Sequence, residues 1–231
     1  RNGGYVQGGV TMTNETVKCN FDRGRRFDVD VMDDLETAGL AFGRLSAQFI
    51  RDKVVPELDA FRFASYCGIS GVTKKEETLA DGAATVAALR AAITKMDEDE
   101  VPTENRHLFI TPTLLQGIND MDTTKSKKVL EGFEQVIKVP QRRFYTAIKQ
   151  LSGKTGEEAG GYTKATGAAN INFAIVQKDA LIQYTKHAAP KIIAPENNPD
   201  ADAYVFGYRM VGIAKAYKNM LSGMYFSHDK A

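Results

Sequence analysis

The chain has 231 residues, 43% hydrophobic and 26% charged, enough to bury one large core or two small ones. Its 30 basic and 29 acidic residues leave a net charge of +1. That is not the basic excess of a protein that grips nucleic acid through phosphates, and it gives no attraction to an anionic membrane surface. No apolar run approaches the ~20 residues of a membrane-spanning helix.

The start, Arg1-Asn2-Gly3-Gly4, has neither a Met nor the pattern of a signal peptide, so further residues are expected upstream of this numbering. Residues 1–9 carry four glycines and read as a flexible tip. Alternation then begins: Val17, Cys19 and Phe21 on one face, and Phe27, Val29 and Val31 on one face further on. Asp22-Arg23-Gly24-Arg25 between them has turn chemistry, so the region is expected to form a β-hairpin. Such a hairpin has too thin an apolar face to stand alone and needs a surface to lie on.

Asp33 or Asp34 is expected to cap a helix, with Glu36 at its positive end. Leu35, Ala38, Phe42, Leu45 and Phe49 follow as one apolar stripe. Pro56 should kink or restart the helix, which continues to about Tyr66. About thirty residues at ~1.5 Å each give a spine of roughly 45 Å, long for so small a domain. Gly68, Gly71 and Thr73-Lys74-Lys75-Glu76 break the pattern. Leu79–Met96 is an alanine-rich helix ended by the acidic run 97–100 and Pro102.

His107–Ile110 reads as a buried strand, and Thr111-Pro112 opens a helix to about Ile118. A further short helical turn is expected at 127–132, and Phe133–Val139 alternates weakly up to Pro140, whereas 143–151 is ambiguous. Residues 152–169 form a loop with five glycines. Asn170–Val176 is an apolar strand, Lys178–Tyr184 is expected to be helical, and Lys191–Ala194 is another strand. Tyr204–Lys218 alternates over a long span, and Met220–Phe226 is expected to pair with it.

Little in the chain has the spacing of a catalytic or ligand site. Ser152-Gly153-Lys154-Thr155 ends like a phosphate-cradling loop, but the first glycine of that motif is replaced by Ile148 and no apolar strand leads into it. A mobile surface loop is the better reading. His107, His187 and His228 lie far apart, and Cys19 and Cys67 have no partner at ligand spacing, so no metal and no cofactor are expected. Both cysteines read as small apolar side chains. Asp28, Asp30, Asp33 and Asp34 form an acidic cluster, read as a solvated face or as charges that pair with a partner. Arg23, Arg25 and Arg26 concentrate positive charge and are either solvated or inter-subunit contacts, a role that arginine's planar fork suits.

The run Phe21–Asp30 (FDRGRRFDVD), then Met32-Asp33-Asp34 and Glu36, resembles the major capsid proteins of tailed bacteriophages. So do Val54–Phe61 (VVPELDAF), His107–Pro112 (HLFITP), Asn172–Val176 (NFAIV), Lys186-His187, and the tail from Asp200–Tyr204 (DADAY) through Tyr208-Arg209 to Gly223-Met224-Tyr225. The ordered set spans nearly the whole chain. The resemblance implies an α+β capsid fold: an extended β-hairpin loop, a peripheral domain with a long spine helix and antiparallel sheet, and an axial domain with a sheet flanked by helices. Residues 1–33 would be the extended loop, residues 34–75 with 191–231 the peripheral domain, and residues 76–190 the axial domain.

The numbering would then begin partway into the extended loop, without the family's N-terminal arm. The family's lysine–asparagine cross-link matches no pair of positions here, so none is expected. What the resemblance implies about function is a non-enzymatic shell subunit. It would self-assemble into hexamers and pentamers with other copies, meet scaffolding and portal proteins, and enclose double-stranded DNA without reading its sequence. It would assemble in the host cytoplasm, end in the virion and touch no membrane. An encapsulin-like nanocompartment subunit is the nearest alternative, and a nucleotide hydrolase using Lys154 the weaker one.

Overall fold

A computed structural model describes residues 3–4, 8–12, 14–36 and 40–230, with residues 40–42 described by backbone alone. In chain order the first elements are β1 (Phe21–Asp30), α1 (Val31–Glu36), α2 (Leu40–Phe49), α3 (Val55–Gly68), β2 (Thr73–Glu76), α4 (Gly82–Glu98), β3 (Arg106–Ile110), α5 (Pro112–Asp120) and α6 (Thr124–Glu131). Strands dominate the rest: β4 (Gln135–Lys138), β5 (Ile148–Gln150), β6 (Tyr162–Lys164), β7 (Ile171–Gln177), β8 (Leu181–Ile193), β9 (Ala203–Ala216) and β10 (Met224–His228).

The strands form three sheets. One has the order β1-β9-β8 and is antiparallel throughout. A second has the order β2-β10-β7-β3-β4, parallel at its two outer pairs and antiparallel within. The third is the small antiparallel pair β5-β6.

The five-stranded sheet is the centre of the molecule. Every residue of β7 is buried, as a central strand covered on both faces requires. One face carries Leu108, Ile110, Phe173, Ile175 and Tyr225 against α4, α5 and α6. The other carries Ala174, Val176, Met224 and Phe226 against Tyr66 and Cys67 at the end of α3. Helices α4 and α6 are fixed at their starts: the Asp81 carboxylate accepts the Ala84 N–H at 2.7 Å, and Thr123 and Ser126 cap α6 reciprocally at 3.2 Å. Helices α4 and α5 meet so closely that a Cβ on Gly82 would lie 2.1 Å from the Gly117 carbonyl oxygen.

Helices α2 and α3 join through a π-helical turn, Ile50–Val54, where the Val55 N–H donates to the Ile50 carbonyl. The spine over residues 40–68 is therefore continuous, roughly 44 Å at ~1.5 Å per residue. The restart expected at Pro56 takes the form of a register change: the π turn shifts the ladder, and Pro56 falls in the first turn of α3, where its missing donor costs nothing. Of the expected apolar stripe, Phe49 packs on Phe27 and Phe206, whereas Leu35 is 67% and Leu45 43% exposed. Ala38 lies outside the described residues and Phe42 outside the described side chains.

Several sequence expectations are corrected. Asp22–Arg25 makes no turn: residues 21–30 are one strand, paired over its whole length with β9 and not with residues 10–20. Gly24 has an ordinary strand conformation, and its missing Cβ lets β9 approach, since that atom would lie 3.2 Å from the Tyr208 carbonyl. Asn20, just before the strand, reaches β9, exchanging side-chain bonds with the Ala214 backbone at 2.9 Å. Helix α1 starts earlier than expected, capped by Asp30, whose carboxylate accepts the Met32 N–H at 2.8 Å. The glycine-rich tip at 1–9 lies largely outside the described residues.

Residues 178–184 are not a helix; after one 3₁₀ turn at Lys178–Ala180, β8 begins at Leu181, where pairing with β9 outweighs the local helical preference. Met224–His228 does not pair with β9. This strand is buried along Met224–Ser227 and belongs between β2 and β7 in the central sheet. The run Thr73–Glu76, read as a break, is the strand β2 that pairs with it.

Candidate functional site

Strand β1 alternates. Phe21, Arg23, Arg25 and Phe27 turn toward the spine, and Asp22, Arg26 and Asp28 toward the opposite face. Phe21 packs on Phe61 with ring centroids 4.9 Å apart, and Phe27 on Phe49 at 5.3 Å and Phe206 at 5.0 Å. These rings fix the strand against the spine. Between them, Arg23 donates from Nε to the Glu57 carboxylate at 2.7 Å and from a terminal nitrogen to the Leu151 carbonyl at 2.6 Å. Glu57 is 12% exposed and lies in the first turn of α3, where the helix end also favours a negative charge.

Arg25 reaches across to the glycine-rich loop and donates to the Glu158 carbonyl at 3.1 Å. Its guanidinium rests where a Cβ on Gly160 would stand, 2.8 Å away, and Gly160 has φ of +62°, so only glycine fits on both counts. Arg26, on the other face, bonds Asp28 at 3.3 Å and lies 3.9 Å from Asp200, with half its side chain exposed. On the same face Asp22 and Arg209 form a two-point ion pair at 2.6 and 2.9 Å. The Arg209 guanidinium holds the Asp22 carboxyl below its usual range. The three arginines therefore do not form one cluster. Arg23 and Arg25 strap the strand to the spine and loop of their own chain, and Arg26 faces outward.

Between β1, the spine and the glycine-rich loop lies an open groove of about 900 Å³. Phe21, Phe27, Leu45, Phe49, Tyr162 and Met210 give it an apolar floor. Arg23, Arg25, Lys53, Arg142 and Lys164 line it, against the acids Asp52 and Glu57. Both acids are already taken, Glu57 by Arg23 and Asp52 by Arg51 at 2.9 Å. The rim is thus basic in excess.

The glycine-rich loop holds itself. Glu157 accepts the Ser152 N–H at 2.7 Å and the Lys149 ammonium at 2.6 Å, and these bonds push its carboxyl down to about 2. A carboxylate of the chain so occupies the backbone amide that a phosphate would need, and β6, not a helix, follows Lys154. Behind the loop Asp59 pairs with Arg143 at 3.1 Å, and burial raises its carboxyl in spite of that neighbour. Burial also pushes the Cys67 thiol up to about 11, which leaves it a poor nucleophile, whereas Cys19 is exposed. Among the described residues no three His, Cys, Asp or Glu side chains group to hold a metal ion, and no helix is long and apolar enough to cross a membrane.

Sequence reasoning found the arginines but missed Glu57, the glycine seat of Arg25 and the groove. Glu57 carried a signal, an acid beside a helix-starting proline, but its partner is 34 positions away.

No protein-family model and no curated protein matches the chain. Solved structures do. The chain is similar to one of Mycobacterium phage Che8, with TM-score 0.59 and 11% identity, covering 98% of this chain and 78% of that one. It is similar to the capsid of the cyanophage P-SCSP1u, with TM-score 0.55 and 15% identity, over 98% of this chain and 79% of that one. A virus-like particle from Pyrococcus furiosus gives TM-score 0.57 at 8% identity, over 89% of this chain and 75% of that one. The fold is α+β and is that of viral shell subunits. More narrowly, it is the major capsid fold of tailed phages, which is the fold the motif resemblance implied.

Proposed function

We propose that the chain is a non-enzymatic structural subunit of an icosahedral phage capsid. It assembles with copies of itself into hexamers and pentamers and encloses double-stranded DNA without sequence-specific contacts. The observation that carries this reading is the agreement of fold over nearly the whole chain with phage capsids. Scaffolding and portal proteins are the further partners of such a subunit, the host cytoplasm its place of assembly and the virion its destination. Residues 1–33, 34–75 with 191–231, and 76–190 are its extended loop, peripheral domain and axial domain.

Physical features support it. A near-neutral chain lines a DNA-filled shell without gripping the DNA. The three-stranded sheet has long, open edges in β1 and β8, and unpaired edges invite another chain. Arg25 and Arg26 are the inter-subunit contacts of the trio, with Arg23 holding the strand that carries them. A shell of this fold that packages protein cargo, as a nanocompartment does, is the second reading, favoured by the likeness to the Pyrococcus furiosus virus-like particle.

Negative-stain microscopy with light scattering tests this. Rings or shells are expected, and a chain that stays monomeric at high concentration overturns the reading. Reversing Arg25 and Arg26, whose side chains are exposed, to glutamate should cut particle yield at least tenfold, while the melting temperature falls by no more than about 4 °C for the lost Arg25–Glu158 bond. Normal shells from that variant would reduce both arginines to solvated charges. Nuclease-protected DNA in particles from infected or induced cells separates the capsid from the nanocompartment.

A further inference from the structure

The groove beside β1 has an apolar floor and a basic rim whose acids are internally paired. The chain also carries its complement. Helix α1 exposes two large apolar side chains one turn apart, Met32 at 64% and Leu35 at 67%. Around them, residues 28–36 hold five acids, Asp28, Asp30, Asp33, Asp34 and Glu36, of which Asp28 also bonds Arg26 and Asp30 caps the helix. In their own chain Met32 and Leu35 lie on the surface and are not among the side chains that line the groove.

We propose that α1 of a second copy docks in this groove, Met32 and Leu35 against the floor and the acids against Arg25, Lys53, Arg142 and Lys164. The inference rests on the shell-subunit reading and names the contact that the reading needs. Such a contact joins unlike patches, so it propagates from copy to copy into rings and closed shells and does not stop at a pair. The exposed apolar pair supplies the buried anchor and the charges supply register and steering. DNA fits the groove less well. Phosphates would meet the rim, but an apolar floor of aromatic and aliphatic side chains gives a duplex backbone nothing to bond.

The experiment mixes two single-cysteine variants of the full chain, Leu35→Cys and Leu45→Cys, each in a Cys19→Ser background that removes the exposed native thiol. Both leucines are exposed, so neither change reaches the core. Mild oxidation at assembly concentration should give a heterodimeric disulfide, identified by mass spectrometry, in at least tenfold excess over a control pair using Tyr217→Cys. Adding Arg25→Glu and Arg142→Glu to the Leu45→Cys chain should cut the yield at least fivefold. Adding Asp33→Lys and Glu36→Lys to the Leu35→Cys chain should then restore it.

Particles that form without this disulfide overturn the docking and leave the shell reading standing. A disulfide without particles does the reverse, and neither product overturns both. If the groove arginines prove needed to retain double-stranded DNA while cross-linking is unchanged, the groove belongs to phosphate and the proposal falls.

Discussion

The two main sheets of this molecule are finished to different degrees. The five-stranded sheet has helices on one face and the end of the spine on the other, and its edges, β2 and β4, are only four residues each. The three-stranded sheet leans one face on the spine and ends on strands of ten and thirteen residues with open edges. Most residues of β8 are exposed, Tyr184 at 61% and Ile192 at 59%. Its defences against indiscriminate pairing are Lys186, Pro190, Lys191 and a bulge between Thr185 and His187. The first sheet is covered on both faces, while the second leaves most of one long edge strand exposed among the described residues.

The sharpest way to break that contrast is to hollow out both sheets. Phe173→Ala, in a side chain with no exposure, should cost about 4 kcal/mol, and Phe27→Ala, in a half-buried ring, about half that, measured by urea unfolding with unchanged slope. Equal losses would mean that the three-stranded sheet is as self-sufficient as the central one.

A smaller effect is expected at the strap between the two regions. Arg23→Ala leaves the nearly buried Glu57 without its partner and should cost about 1.5 kcal/mol, with Arg23→Lys recovering only part because it cannot also reach the Leu151 carbonyl. Acid gives the smallest and most local change. The folded Glu157 carboxyl is depressed to about 2, so its contribution is complete above the ordinary carboxylate range and is lost as pH falls through about 2. The protection of the Ser152 amide, relative to the intrinsic exchange rate at each pH, should fall on acidification before that of the central sheet, and Glu157→Gln should lower it at every pH.

The sequence was readable where structure is local. The alanine-rich α4, the proline start of α5, and the buried runs of β3 and β7 all follow from spacing and composition. It misled where a distant partner decides. Asp22–Arg25 has turn chemistry, but ten consecutive pairings with β9, some 190 positions away, outweigh it. Met220–Phe226 reads as the partner of the preceding strand in sequence, although burial on both faces of its second half requires a central position. The arginines are visible as charges; that Arg23 and Arg25 also bond within their own chain depends on Glu57 and on carbonyls near residues 151–161.

The groove has a consequence for timing. Its walls come from residues 21–27, 45–57, 142–164 and 208–210, stretches that are brought together only by the finished fold. A nascent or half-folded chain has no such surface to offer, whatever its concentration. Under the proposed docking, addition of a copy would be gated by completion of its own fold, and an unfinished copy refused without any separate inspector.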